Sequence, residues 1–225
     1  MEHRIEGEMM QILTIELGEG EEIYSESGAM AWMSQNILME SQMRGGLGAG
    51  LGRMFTGESL FLVQFKTTGG KGIVSFAPSF PGKILPLDIG PGKEMICQKD
   101  SFLVAQEGVK LETVFRKKLG VGLFGGEGFM LQKLTGSGMA FVEIDGEVFK
   151  MELKAGEKLK VDTGSIAMFE PSVKYEVEMV KGVKNMLFGG EGLFLATLEG
   201  PGKVWLQSMP ASSVAQKILP YIPKG

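Results

Sequence analysis

The sequence predicts an all-β protein of three tandem β-sandwich units in a pseudo-threefold arrangement, with one short C-terminal helix. Three observations predict it. A Gly-rich motif recurs with its flanking runs at fixed offsets along the chain. Glycine supplies 34 of 225 residues, about twice the usual share of ~7%. The apolar runs are short, bounded by glycine and strand-like in period.

The repeat is clearest between Leu123-Phe124-Gly125-Gly126-Glu127-Gly128 and Leu187-Phe188-Gly189-Gly190-Glu191-Gly192, at an offset of 64. The match runs on ungapped to give ten identities in the sixteen positions from 123 to 138. A weaker copy, Phe55-Thr56-Gly57-Glu58-Ser59-Leu60-Phe61-Leu62, aligns with Phe124 to Leu131 at an offset of 69. Such self-similarity marks a repeated supersecondary unit. The units are placed at 10–86, 87–150 and 151–210, followed by a helix and tail at 211–225.

Each unit opens on a glycine turn: Gly20-Glu21-Glu22-Ile23, Gly92-Lys93-Glu94-Met95 and Gly156-Glu157-Lys158-Leu159. An apolar strand follows, at Gly28 to Met33, Ser101 to Ala105 and Gly164 to Phe169. After the Gly-rich loop come further strands such as Leu60 to Phe65 and Phe129 to Leu134. Met139 to Ile144 runs into Asp145-Gly146, a two-residue hairpin signal. Tyr175 to Val180 alternates with period two and predicts one wet face. The helix is expected at Ser212 to Leu219, capped by Ser212 or Ser213 and stopped by Pro220. A unit of this size buries only about 60% of its unfolded surface. The three are therefore expected to share apolar faces in one body.

Composition excludes several chemistries. The only histidine, His3, lies in a polar N-terminal stretch, where chain ends are usually poorly ordered. A Ser-His or Cys-His pair would need that terminus to fold back. One cysteine, Cys97, leaves no intrachain disulfide or C-x-x-C motif, and its apolar neighbours predict an inert buried thiol. Zinc sites want several His or Cys ligands, and four scattered aspartates make no D-x-D pattern. No cofactor, metal site or catalytic set is expected, and the protein reads as a non-enzyme. A net charge of −4 argues against nucleic acid as a partner. No apolar run reaches the ~18–20 residues of a membrane-spanning helix, and the start lacks signal-peptide order. The expected location is cytoplasmic, with membrane association through the loops.

The glycine turns at Gly57-Glu58, Gly125-Gly126-Glu127 and Gly189-Gly190-Glu191 lack the G-K-[ST] ending of a phosphate loop. They read as structural turns, because a turn the fold requires recurs in every unit. Basic residues precede them: Arg44 and Arg53; Arg116, Lys117 and Lys118; Lys181 and Lys184. With Leu47, Leu51 and Met54 in the first loop, a threefold arrangement would gather an apolar tip ringed by positive charge. Such a tip suits an anionic membrane surface or a membrane protein. Trp32 and Trp205 read as core or interface anchors. The methionines, Met30, Met33, Met39, Met43 and Met54 among them, read mainly as core filling.

The Phe-Gly-Gly-Glu-Gly-Leu-Phe-Leu run at 188–195, with Gly200-Pro201-Gly202-Lys203-Val204-Trp205-Leu206-Gln207-Ser208-Met209-Pro210, resembles the altered-inheritance-of-mitochondria protein 24 family. Thr56 to Phe61, Phe76-Ala77-Pro78, Pro81-Gly82 and Leu219 to Pro223 fit the same likeness over nearly the whole chain. The resemblance implies a fold like that of the tryptophan RNA-binding attenuator protein, a short double-stranded β-helix, tripled in one chain. It also implies homo-oligomers, and it carries over no catalytic residues. The function expected is a non-enzymatic oligomeric scaffold or interaction protein, a trimer or larger ring of itself, peripheral to a membrane. The alternative is a small-ligand or RNA-binding module of the attenuator type.

Overall fold

The computed structural model describes residues 1–42, 62–117, 129–179, 194–218 and 221–222. Strand β1 (Glu2–Glu6) comes first, and each repeat then supplies six strands among the described residues. In the first repeat they are β2 (Ile12–Leu17), β3 (Glu22–Glu26), β4 (Met30–Met33), β5 (Ile37–Gln42), β6 (Leu62–Thr67) and β7 (Gly72–Phe76). The second gives β8 (Gly82–Ile89), β9 (Met95–Gln98), β10 (Phe102–Gln106), β11 (Val109–Lys117), β12 (Phe129–Gly136) and β13 (Gly138–Asp145). The third gives β14 (Val148–Leu153), β15 (Lys158–Asp162), β16 (Ile166–Phe169), β17 (Lys174–Met179), β18 (Phe194–Glu199) and β19 (Gly202–Gln207), and α1 (Ala211–Ile218) follows. The all-β class matches the expectation, as does the short C-terminal helix, the single α-helix among the described residues. The boundaries read at 86/87 and 150/151 fall inside β8 and β14, whose first residues open the second and third sets of six.

Turn chemistry explains why the repeats keep their shape. Gly20, Gly92 and Gly156 link the first and second strands of each repeat at φ of 79°, 74° and 77°. That left-handed conformation is open to glycine and costs other residues about 1–2 kcal/mol. Glu21 and Glu157, next in sequence, fold back so that their Oε2 atoms accept the Gly18 and Lys154 backbone N–H at 2.9 Å. The Gly18 N–H, a charge-stabilising donor, holds the Glu21 carboxyl below the ordinary carboxylate range.

The described strands join into four sheets, ordered β1-β2-β7-β4, β5-β6-β3-β10-β13-β8, β11-β12-β9-β16-β19-β14 and β15-β18-β17. The two six-stranded sheets share one plan. The fourth, fifth and second strands of one repeat lie beside the third, sixth and first strands of the next. The junctions are β3 with β10 and β9 with β16, both antiparallel. All three repeats also keep one irregularity, a register shift where the third strand meets the sixth. It lies between Met30 and Trp32, between Phe102 and Val104, and between Ile166 and Met168. A β-bulge there bends the third strand and places Ala31, Leu103 and Ala167 at matching positions.

The described chain divides into two compact units, changing from one to the other after Pro91, Ser101, Lys110, Thr135 and Glu143. In the first, the four-stranded sheet packs on the β5–β8 sheet around Leu13, Ile15, Val74, Phe76, Phe65, Val104 and Phe141. In the second, the β11–β14 sheet packs on the three-stranded sheet around Phe129, Leu131, Phe169, Val204, Val177 and Leu198. Burying each such side chain stabilises by about 1.5–3 kcal/mol. The three repeats are thus threaded through two sandwiches. The middle repeat gives β8, β10 and β13 to the first and β9, β11 and β12 to the second.

Four local expectations are corrected. Asp145-Gly146 closes no hairpin, because β13 and β14 belong to different sheets; Gly146, at φ 73°, turns the chain from one sheet to the other. Helix α1 starts at Ala211, and neither serine caps it: Asp145 Oδ2 accepts the Ala211 N–H at 2.7 Å. The N-terminal stretch is a paired strand, and His3, opposite Ile15, sets its ring edge-on to Phe141 at 4.9 Å. Met33 and Met39 are exposed, and so is Trp32, which leaves it out of the core. Met43 and Met54 lie outside the described residues, whereas Cys97 is buried as expected.

No heavy atom lies within 4 Å of a Cβ built on Gly156, so substitution there meets only the backbone term. Gly156→Ala is expected to lose about 1–2 kcal/mol, read by denaturant unfolding, and Gly156→Asn to lose less.

Candidate interaction surface

Most of the site read from the sequence falls on undescribed chain. Arg44, Leu47, Leu51, Arg53, Met54, Lys118, Lys181 and Lys184 lie outside the described residues, as do Gly57, Glu58, Gly125, Gly126, Glu127, Gly189, Gly190 and Glu191. Arg116 and Lys117 close strand β11, and their side chains are not among those described.

The buried polar groups of the described chain are mostly tied to structure. Glu143 accepts from the Ser79 N–H at 2.5 Å and its hydroxyl at 3.1 Å. Gln207 accepts the Asp145 N–H and donates to the Gly164 carbonyl at 2.7 Å. Tyr24 donates to the Val109 carbonyl at 2.9 Å and stacks on Phe102 at 5.6 Å. Burial raises the Asp145 carboxyl pKa, outweighing the Ala211 N–H that holds it down. The exception is Gln132 on β12, fully buried with neither amide atom hydrogen-bonded. Its counterparts on β6 and β18, by pairing to the second strand, are Val63 and Ala196. An amide thus stands where the other repeats hold a hydrocarbon.

The surface that differs from its own internal copies lies on two edge strands. Strand β4 occupies the place of β10 and β16, but among the described strands it has only β7 beside it. Strand β15 occupies the place of β3 and β9, with only β18 beside it among the described strands. Burial follows the pairing. Val104, Ala105, Met168 and Phe169 are 0% exposed, while their equivalents Trp32 and Met33 are 51% and 36% exposed. A half-exposed tryptophan beside a methionine is the side-chain chemistry that interfaces favour over open surface. Trp205, the other tryptophan, is half-buried on β19 under the Lys150 ammonium at 5.1 Å. The sequence signal for the β4 surface was Trp32 itself, together with its place in the first copy of the repeat.

Among the described residues no helix is long and apolar enough to cross a membrane, and no group of three or more His, Cys, Asp or Glu side chains is placed to hold a metal.

The chain is similar to solved and curated proteins along nearly its whole length. A Streptococcus pyogenes protein of known crystal structure superposes with a TM-score of 0.80, covering 98% of this chain and 99% of that one at 22% identity, which establishes the shared fold. An uncharacterised protein of Streptococcus pyogenes serotype M6 is 26% identical over 221 residues, 94% of this chain and 87% of the relative. Residues 3–209 match the family model described as Mitochondrial biogenesis AIM24, the family that the Gly-Gly-Glu-Gly and Gly-Pro-Gly-Lys runs resemble, and the chain belongs to it.

Proposed function

We propose that the protein is a non-enzymatic, self-associating scaffold whose repeats present equivalent loops to a partner surface. The observation that carries this reading is the exposed Trp32–Met33 pair on an edge strand whose internal equivalents are fully covered. Exposed apolar side chains on an unpaired edge invite another chain. Multivalent display would let weak loop contacts add to useful avidity. The surface those loops address is proposed to be an anionic membrane, because Arg44, Arg53, Arg116, Lys117, Lys118, Lys181 and Lys184 flank them in sequence. Each basic residue near such a surface contributes about 1 kcal/mol, screened by salt.

Light scattering after size exclusion is expected to give a discrete oligomer. Sedimentation with phosphatidylserine vesicles is expected to retain it at low salt and release it at high salt. A monomer at every concentration would remove the scaffold reading. An oligomer that ignores the vesicles would keep the scaffold and remove the membrane.

One observation favours the ligand-binding alternative: the unpartnered Gln132 amide. A buried polar group with no partner costs about 1–3 kcal/mol. If the amide serves nothing, Gln132→Met, of similar volume, is expected to raise stability by about that amount, measured as a higher denaturant midpoint. A loss of stability would show that a partner engages the amide and would strengthen the ligand reading.

A further inference from the structure

We infer that β15 of one copy pairs antiparallel with β4 of a second copy, in the register of the two junctions inside the chain. The inference rests on the self-associating reading above and supplies its surface and its occupant.

The chain itself provides the template twice. Within each six-stranded sheet, a second strand meets a third strand: Ser25 faces Val104 and Tyr24 faces Ala105 in one, Cys97 faces Met168 and Ile96 faces Phe169 in the other. The matching positions on the end strands follow from two other registers. The shared bulge aligns Trp32 with Val104 and Met168, and Met33 with Ala105 and Phe169. Pairing to the fifth strand aligns Val161 with Ser25 and Cys97, and Lys160 with Tyr24 and Ile96. The intermolecular junction therefore puts Trp32 opposite Val161 and Met33 opposite Lys160.

Both edges suit that occupant. Trp32 would take the position that Val104 and Met168 fill with fully buried side chains. Lysines on an edge strand usually discourage pairing, but here both are engaged on their own sheet. Lys158 Nζ lies 3.0 Å from Glu199, and Lys160 Nζ lies 3.2 Å from Glu178. The edges of β4 and β15 that face no described strand would supply the ladder with their backbone N–H and C=O groups, as in β-augmentation. Because β4 and β15 are different surfaces, the contact is head-to-tail, and repetition closes a ring or extends a filament.

The test mixes two single variants, Met33→Cys and Lys160→Cys, under mild oxidation. Residues directly opposite in an antiparallel pair have Cβ atoms about 4.5–5.5 Å apart, close enough to bridge with small adjustment. The expected product is a covalent dimer from the mixture and none from either variant alone. Met33→Cys mixed with Asp162→Cys, two residues out of register, should bridge far less. A homodimer of Met33→Cys, or equal bridging at Asp162, would overturn the register. An oligomer in light scattering with no bridged product would overturn this junction while leaving the scaffold reading intact. Trp32→Glu, at an exposed site, is expected to keep its melting temperature and weaken self-association about tenfold or more; unchanged association would also overturn the proposal. An internal disulfide in monomeric Met33→Cys/Lys160→Cys would show that both edges meet within one chain, and would contradict the second copy.

Discussion

Everything in this fold depends on one pairing, between the second strand of a repeat and the third strand of the next. A half-sheet of three strands ends in backbone donors and acceptors that need a partner. Left unmade inside a protein, each such group costs more than a formed hydrogen bond returns. Strands β10 and β16 supply those partners to β3 and β9. The price of this plan is that no repeat owns a complete sandwich. The middle repeat has to divide itself between two compact units, and the same plan leaves β4 and β15 at the ends of the series.

The repeated devices follow from that pairing. The bulge at Ala31, Leu103 and Ala167 bends the third strand where it must join the sixth strand on one side and, in the two internal cases, a second strand on the other. Its presence on β4, which has no second strand beside it among the described strands, shows that the bend belongs to the repeat itself. The core differs more. A stacked Tyr24–Phe102 pair lies across the first junction, while in the second unit Phe169, on the junction strand β16, joins Tyr175 and Phe115 in an aromatic chain. Shape at the junction is fixed by backbone geometry, and side-chain identity fills it.

Much of this was legible in the residues. The Gly-Gly-Glu-Gly recurrence announced the repeat, and so did the Gly20, Gly92 and Gly156 turns, where a backbone at positive φ leaves few choices of residue. Alternation in Tyr175 to Val180 announced a strand with one wet face. The exchange of strands between repeats was not legible, since local periodicity fixes a strand but not its neighbours. Asp145-Gly146 misled for the same reason: a tight turn reads alike whether its strands pair with each other or part. Trp32 could not be assigned to core or surface until its strand was seen at an edge. The basic and apolar loop residues, Arg44 to Met54 and Lys181 to Lys184, lie outside the described chain and stay a reading of sequence.

The most direct measurement is amide hydrogen exchange, followed strand by strand across a range of protein concentrations. The β10 and β16 amides are expected to be protected equally at every concentration, since their partners lie in the same chain. The β4 and β15 amides are expected to exchange quickly in dilute solution and to slow together as concentration rises. Protection of β4 and β15 that never varies with concentration, or β10 and β16 amides exchanging as fast as the chain ends, would contradict it.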